Sequence, residues 1–113
     1  MHEMAIAEGI LDIALDYAAQ NEAKRIVEVG LIIGEMAGVV SESLEMSWHS
    51  LTPGTIAEGA ELKIKQSQLI GHCPRCKEDF HLQEYKFWCP TCQDSVLEII
   101  SGREMQVEYL EIE

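Results

Sequence analysis

Basic side chains are scarce in this sequence. Eight Lys and Arg residues stand against 20 Asp and Glu residues, which gives a formal net charge of −12 at pH 7. Nucleic-acid-binding proteins place clustered Lys and Arg against phosphates, and an acidic surface repels that polyanion. The same repulsion opposes binding to an anionic membrane surface. We therefore expect neither nucleic acid nor a membrane as a partner.

Long apolar runs are also missing. No segment approaches the roughly 20 consecutive apolar residues that a membrane-spanning helix needs. The opening residues Met1, His2 and Glu3 lack the basic region and the apolar run of a signal peptide. We therefore expect a cytoplasmic protein, in a compartment that keeps thiols reduced.

The motifs of common catalytic sites are absent as well. The zincin motif needs a second histidine four residues after His2, and that position is Ile6. The glycines of segment 30–38 lack the pattern and the lysine of a phosphate-binding loop. No Ser-His-Asp or Cys-His arrangement stands out either. We therefore expect that the chain is not an enzyme.

What is present is an ordinary globular composition, 47% apolar and 25% charged, in 113 residues. This length suits one compact domain, alone or with a small satellite. Apolar periodicity predicts a helix over 4–20, a strand over 26–35, a helix from 41 to a stop at 52–54, a strand over 60–66 and a strand after 102 that rejoins the first sheet. The expected fold class is α+β, a small sheet packed by two helices, with an inserted zinc-ribbon module.

The sequence also predicts three details of these elements. Ser41 is expected to cap the second helix, and His49 to pack at the core edge beside Trp48. The apolar phase of the last strand shifts after Tyr109, as a β-bulge would cause. The first helix is expected to bury one face, formed by Ile6, Ile10, Ile13, Ala14 and Tyr17.

The strongest chemical signal is a repeated Cys-Pro-x-Cys motif. Cys73 and Cys76 form the first pair, Cys89 and Cys92 the second, and 12 residues separate the pairs. Two such tight turns supply a tetrahedron of thiolates, and in a reducing compartment they indicate a metal site rather than disulfides. Zinc is favoured, with iron of the rubredoxin type as the competitor, and four thiolates leave no open position for catalysis.

The cysteines define a module over 70–101, and residues 1–69 plus 102–113 form the main domain. The 12-residue gap is long enough for a β-hairpin that returns the second pair to the first. His72 and His81 border the module, and with four sulfurs available we expect them to be surface residues rather than zinc ligands. Metal binding is expected to supply much of the stability of the module.

The N-terminus is the second candidate site. If the helix begins almost at the first residue, the amides of His2 and Glu3 have no acceptor within it. These amides after deprotonation, the His2 imidazole and the Met1 amine could form the planar nitrogen set associated with Ni(II) or Cu(II), and Glu3 could add an oxygen. Such a site would release its metal more readily than a thiolate cage. The alternative is a solvated terminal histidine without a function.

Together with the layout, these features resemble the HypA/HybF family of hydrogenase maturation proteins. The resemblance rests on Met1-His2-Glu3, Tyr17-Ala18, the stretches 30–39 and 44–48, Gly54-Thr55, Ala60-Glu61-Leu62, the two Cys-Pro-x-Cys motifs and Gly102-Arg103-Glu104-Met105. The sequence departs mildly from the family pattern at Ala5 and Trp48, where relatives often carry a hydroxyl residue and Phe, respectively. The resemblance implies a nickel metallochaperone for [NiFe]-hydrogenase, with His2 as the key nickel ligand and Glu3 contributing. It also implies that the four cysteines hold zinc.

The resemblance implies partners as well, namely a HypB-type GTPase and the hydrogenase large subunit. In some organisms the family also serves urease, so urease maturation factors are a further class of partner, and a monomer and a homodimer both remain open. His72 is the nearest candidate for an additional nickel ligand. The alternative function is a zinc-ribbon adaptor for protein interactions without an exchangeable metal.

The acidity is unevenly distributed along the chain. Residues 70–102 carry three basic and five acidic side chains, a net charge of −2, so −10 belongs to the part that bears His2 and Glu3. That negative field is expected to attract cations and a basic partner surface.

Overall fold

The computed structural model describes residues 3–83, 86–95 and 97–113. Over these residues the chain forms two α-helices, one short 3-10 helix and six strands in an elongated molecule of 54 × 25 × 16 Å. The elements are α1 (Glu3–Gln20), β1 (Ile26–Gly34), the 3-10 helix (Glu35–Ala37), α2 (Ser41–Leu51), β2 (Glu61–Ser67), β3 (Ile70–Cys73), β4 (Glu78–His81), β5 (Glu98–Ser101) and β6 (Met105–Ile112). The fold class is α+β, as the sequence predicts.

The larger sheet has the strand order β2-β1-β6, with β1 parallel to β2 and antiparallel to β6. The last strand therefore rejoins the first, as expected. Gly30 pairs with Tyr109 and the next residue, Leu31, pairs with Val107, so one extra residue, Glu108, lies between them on β6. The predicted bulge is therefore present, but at Glu108, before Tyr109 rather than after it, and it explains the shift in the apolar phase of the strand.

The helices cover one face of this sheet. Trp48 of α2 is fully buried, and its indole Nε1–H donates to the Ala60 carbonyl oxygen at 3.0 Å. A ring of this size needs such a partner, because an unpaired buried N–H would be costly. The rest of the core consists of Ala7, Ile10, Leu11, Ala14, Ala18, Ile26, Val29, Leu31, Ile33, Leu44, Ala57, Ala60 and Leu62.

The predicted buried face of α1 is partly wrong. Ile13 and Tyr17 are 56% and 51% exposed. The residues that α1 buries are Ala7, Ile10, Leu11, Ala14 and Ala18. Three of these five are alanines, whose small side chains let α1 lie close to its neighbours, and the buried face is therefore rotated towards them and away from Ile13 and Tyr17. An apolar edge of the helix is left uncovered.

Two predictions for α2 are also wrong. Ser41 is the first helical residue, and the N-cap position belongs to Val40, without a side-chain capping bond. His49 is exposed in the last turn instead of packing at the core edge. Successive helical residues point about 100° apart, so the full burial of Trp48 turns His49 towards solvent.

The smaller sheet has the order β4-β3-β5, with β3 antiparallel to both neighbours. The first cysteine pair forms the turn between β3 and β4. The predicted hairpin between the two pairs is therefore wrong for the described part of that segment, 77–83 and 86–88, which holds the single strand β4. The turn of the first Cys-Pro-x-Cys motif reverses the chain by itself, so no second hairpin is needed.

The two sheets meet where backbones approach closely. A Cβ on Gly34 would lie 2.1 Å from the carbonyl oxygen of Gly102. Gly102 itself has a φ of +107°, and a Cβ there would lie 2.4 Å from the Leu69 Cα. Only glycine fits either position without moving the main chain.

Candidate metal centre

The two Cys-Pro-x-Cys turns have the same backbone geometry. The N–H of Lys77 donates to the Cys73 carbonyl at 2.7 Å, and the N–H of Gln93 donates to the Cys89 carbonyl at 2.8 Å. Lys77 and Gln93 both adopt positive φ, 57° and 62°. Positive φ is unfavourable for residues with a Cβ, and its repetition after both pairs shows that the turn geometry overrides local preference.

These turns bring the four sulfurs together. The Sγ atoms of Cys73, Cys76, Cys89 and Cys92 all lie within 4.8 Å of one another, with 3.6 Å between Cys73 and Cys92 and 3.9 Å between Cys76 and Cys89. A disulfide would need about 2.05 Å. Zn–S bonds of about 2.3 Å in a tetrahedron place sulfurs about 3.8 Å apart. The cluster therefore fits structural zinc.

Hydrogen bonds already favour charge on one sulfur of the cluster. The backbone N–H groups of Cys92 and Thr91 lower the pKa of the Cys89 thiol to about 7. Hydrogen bonding with the Cys92 sulfur raises the pKa of Cys76 to about 12. A metal binds thiolates, so metal binding to the cluster would release protons from the remaining thiols. The metal affinity would therefore depend on pH.

The bordering histidines have partners other than the sulfur cluster. His72 Nδ1 lies 2.6 Å from Asp79 Oδ1 on the neighbouring strand, and His81 Nε2 lies 2.9 Å from Glu35 Oε2. His81 is exposed, as predicted for a surface residue, whereas His72 is half-buried. Within 3–83, 86–95 and 97–113, the cysteines form the one group of three or more His, Cys, Asp or Glu residues that could hold a metal.

Two carboxylates to which the sequence assigns no role lie where the two sheets meet. Glu35 accepts the Leu69 N–H at 2.9 Å in addition to its contact with His81, and these contacts lower the pKa of Glu35. Glu104 accepts from the Gly102 N–H at 2.6 Å and from the Ser67 hydroxyl at 2.9 Å. Glu35 is 34 and 46 residues away from its two partners in the sequence, so no local pattern predicts these contacts.

The predicted nickel site is only partly covered by the described residues. Met1 and His2 lie outside them, and Glu3 is the first residue of α1, half-buried. The N–H groups of the first helical turn have no carbonyl partner within the helix.

In the described part of the chain, neither helix is long and apolar enough to cross a membrane.

The fold and the sulfur cluster define a small α+β metal-binding protein with a zinc-ribbon-like module. A family model described as "Hydrogenase/urease nickel incorporation, metallochaperone, hypA" matches residues 1–112. The chain belongs to this HypA family, whose members bind nickel.

Individual relatives agree with this assignment. The chain is 38% identical over 113 residues to the hydrogenase maturation factor HypA of Geobacter sulfurreducens, and 36% identical over 113 residues to that of Aquifex aeolicus. The alignments cover all of this chain and 100% and 98% of those relatives. The solution structure of the Ni metallochaperone HypA from Helicobacter pylori has a TM-score of 0.68 at 21% identity, covering 99% of this chain and 97% of that one. At that identity the structural match supports the fold alone.

Proposed function

We propose that this chain binds Ni(II) through His2 and Glu3 and delivers it during [NiFe]-hydrogenase maturation. The observation that carries the proposal is the extent of the family match. It runs over residues 1–112 and so includes the His2-Glu3 pair together with both cysteine pairs. A match to the cysteine module alone would fit any zinc ribbon, whereas a match from the first residue fits a nickel metallochaperone.

The surroundings of Glu3 support a cation site at this end of the chain. Glu3 begins α1, where the first backbone amides lack intrahelical acceptors, so one of them could lose its proton and bind Ni(II) without breaking a helical hydrogen bond. Most of the formal charge, −10 of −12, lies outside residues 70–102. A field of this sign raises the local concentration of cations and favours nickel capture over capture of an anion.

Zinc has a different role in the proposal. Cys73, Cys76, Cys89 and Cys92 are its ligands, and four sulfurs leave no open coordination position, so this site is structural. The proposed role is nickel transfer, which does not make the protein an enzyme. Residues 70–101 then form the zinc module, and residues 1–69 with 102–113 form the nickel-binding domain. In this proposal nickel is transferred to another protein, whereas zinc remains bound to the four cysteines.

The proposed partners follow from the same role. A HypB-type GTPase and the hydrogenase large subunit are the proteins with which nickel would be exchanged, and urease maturation factors are a further class. The acidic nickel-binding domain suits a basic surface on such a partner.

Two histidine variants test the nickel ligand. His2→Ala is expected to abolish stoichiometric nickel binding in calorimetry while leaving the zinc content and the circular dichroism spectrum unchanged. His49→Ala is the matched control, since His49 is exposed on α2. Its nickel affinity is expected to equal that of the wild type. Unchanged nickel binding in His2→Ala, or an equal loss in both variants, would contradict the proposed ligand.

A further inference from the structure

An apolar groove lies between α1 and β6. Ile13 and Tyr17 of α1 form one side, Val107 and Leu110 of β6 form the other, and the cavity has a volume of about 450 Å³. We call this the α1–β6 groove. Ile13 and Tyr17 are each more than half exposed. A contiguous exposed apolar surface of this kind is typical of an interaction site, because a monomer gains nothing by leaving it in water.

The groove runs along an open strand edge. In the described sheet β6 pairs with β1 and no other strand. Alternate backbone N–H and C=O groups along its far edge are therefore available to a further strand. An extended peptide added there would gain main-chain hydrogen bonds from β6 and apolar contacts from α1, which is a common mode of peptide recognition.

The two faces of β6 differ in chemistry. Val107 and Leu110 pack towards the core, below the exposed edge of α1. Tyr109 also borders the groove, but its hydroxyl lies on the opposite face, where it donates a hydrogen bond to Glu28 of β1, the residue that pairs with Glu111. An added strand would therefore meet an apolar wall on one face and an acidic, aromatic surface on the other.

The negative charge at this surface is concentrated around the Tyr109 ring. The hydrogen bond to Glu28, followed by burial and the charges of Glu28, Glu111 and Glu108, raises the pKa of Tyr109 to about 12. The residues that line the groove in the described structure include Glu108 and no Lys or Arg. Lys or Arg from a partner could pair with these carboxylates and lie against the Tyr109 ring.

We propose that the α1–β6 groove binds an extended segment of a partner protein in which Lys or Arg alternates with large apolar side chains. The apolar side chains enter the groove below Ile13 and Tyr17, and the basic ones face Glu28 and Glu111. A second copy of this chain is a poorer occupant. Its own β6 would bring Glu108 and Glu111 close to the same residues, between two molecules that each carry a charge of −12.

A designed peptide tests the proposal on the zinc-loaded, full-length protein. The probe is a fluorescent eight-residue peptide in which Lys alternates with Val. One control peptide has Glu in place of Lys. A second control peptide has four Lys followed by four Val. We expect the alternating Lys peptide to bind at least about ten-fold more tightly than either control. We also expect it to shift the amide NMR signals of residues 105–112 and to weaken as salt rises.

Variants locate the binding surface. Ile13→Lys is expected to weaken the peptide about ten-fold or more, because it removes an apolar contact and adds a like charge. Met46→Lys is the control, since Met46 is 74% exposed on α2 and lies outside the groove. Glu111→Lys is expected to weaken binding and to reduce its salt dependence. Nickel binding is expected to be unchanged in all three variants, so the test is independent of the proposed nickel ligand.

Three results would overturn the proposal. One is equal binding of the alternating Lys peptide and the alternating Glu peptide. Another is unchanged affinity in Ile13→Lys. The third is a concentration-dependent dimer in sedimentation that Ile13→Lys abolishes, which would make a second copy the occupant of the groove.

Discussion

Removal of one thiolate from the sulfur cluster is expected to unfold the smaller sheet and to leave the larger one intact. Cys73 is fully buried, lies 3.6 Å from the Cys92 sulfur, and accepts the Cys76 N–H at 3.4 Å. In Cys73→Ala the three remaining thiolates cannot complete the tetrahedron. The metal and the geometry of the first turn are therefore lost together.

The magnitude follows from how little else holds this sheet. Among the described residues of 70–101, Leu82 is the only buried residue with a large aliphatic side chain, and burial of a leucine contributes about 1.5–3 kcal/mol. Structural zinc contributes about 10–16 kcal/mol in zinc-finger peptides. The larger sheet keeps its own core around Trp48 and is expected to stay folded.

Zinc analysis by mass spectrometry and amide NMR spectra measure this outcome. In Cys73→Ala we expect bound zinc to fall from one equivalent to near zero. The signals of β3, β4 and β5 should collapse to unfolded positions, while those of β1, β2 and β6 remain dispersed. Arg75→Ala is the control, since Arg75 is exposed between the two cysteines of the same turn. Full zinc content with an unchanged β3–β5 spectrum in Cys73→Ala would refute the reasoning.

Three further substitutions test single contacts. Trp48→Phe leaves the Ala60 carbonyl without its 3.0 Å donor and is expected to cost at least about 1–3 kcal/mol in urea unfolding; no change would contradict that role. Gly30→Ala places a Cβ 1.9 Å from the Tyr109 ring, so we expect a loss of about 1–3 kcal/mol that Tyr109→Ala partly rescues; additive losses would contradict the clash. Contacts with the Leu69 N–H and His81 lower the pKa of Glu35, so its stabilisation is present above the unfolded-state value near 4.5 and is lost as pH falls through the folded value. Glu35→Gln is expected to flatten that acid limb, and an unchanged limb would contradict this assignment.

The sequence predicts the elements well where the pattern is local. The β1 run is apolar on both faces, and it lies at the centre of its sheet; the phase shift near Tyr109 is the bulge at Glu108. The sulfur cluster is equally predictable, because each Cys-Pro-x-Cys turn brings its two sulfurs together within four residues. In these cases the sequence pattern that indicates the feature is local, although the strand pairings and the approach of the two turns are not.

Features set by distant contacts were not predictable. The rotation of α1 depends on how closely its alanines approach other elements, and periodicity alone favoured Ile13 and Tyr17 as core residues. The contact of Glu35 with His81 spans 46 residues. The two glycines that let the sheets approach at Gly34 and Gly102 are recognisable only once both backbones are in place.

Nickel titration of the zinc-loaded protein is the most direct test of the central claim, that this chain carries exchangeable nickel in addition to structural zinc. We expect one equivalent of Ni(II) to bind, to be removed by a mild chelator, and to leave one equivalent of zinc on Cys73, Cys76, Cys89 and Cys92. Binding is expected to disappear in His2→Ala. Absence of a nickel site separate from zinc would contradict the account and would favour the zinc-ribbon adaptor.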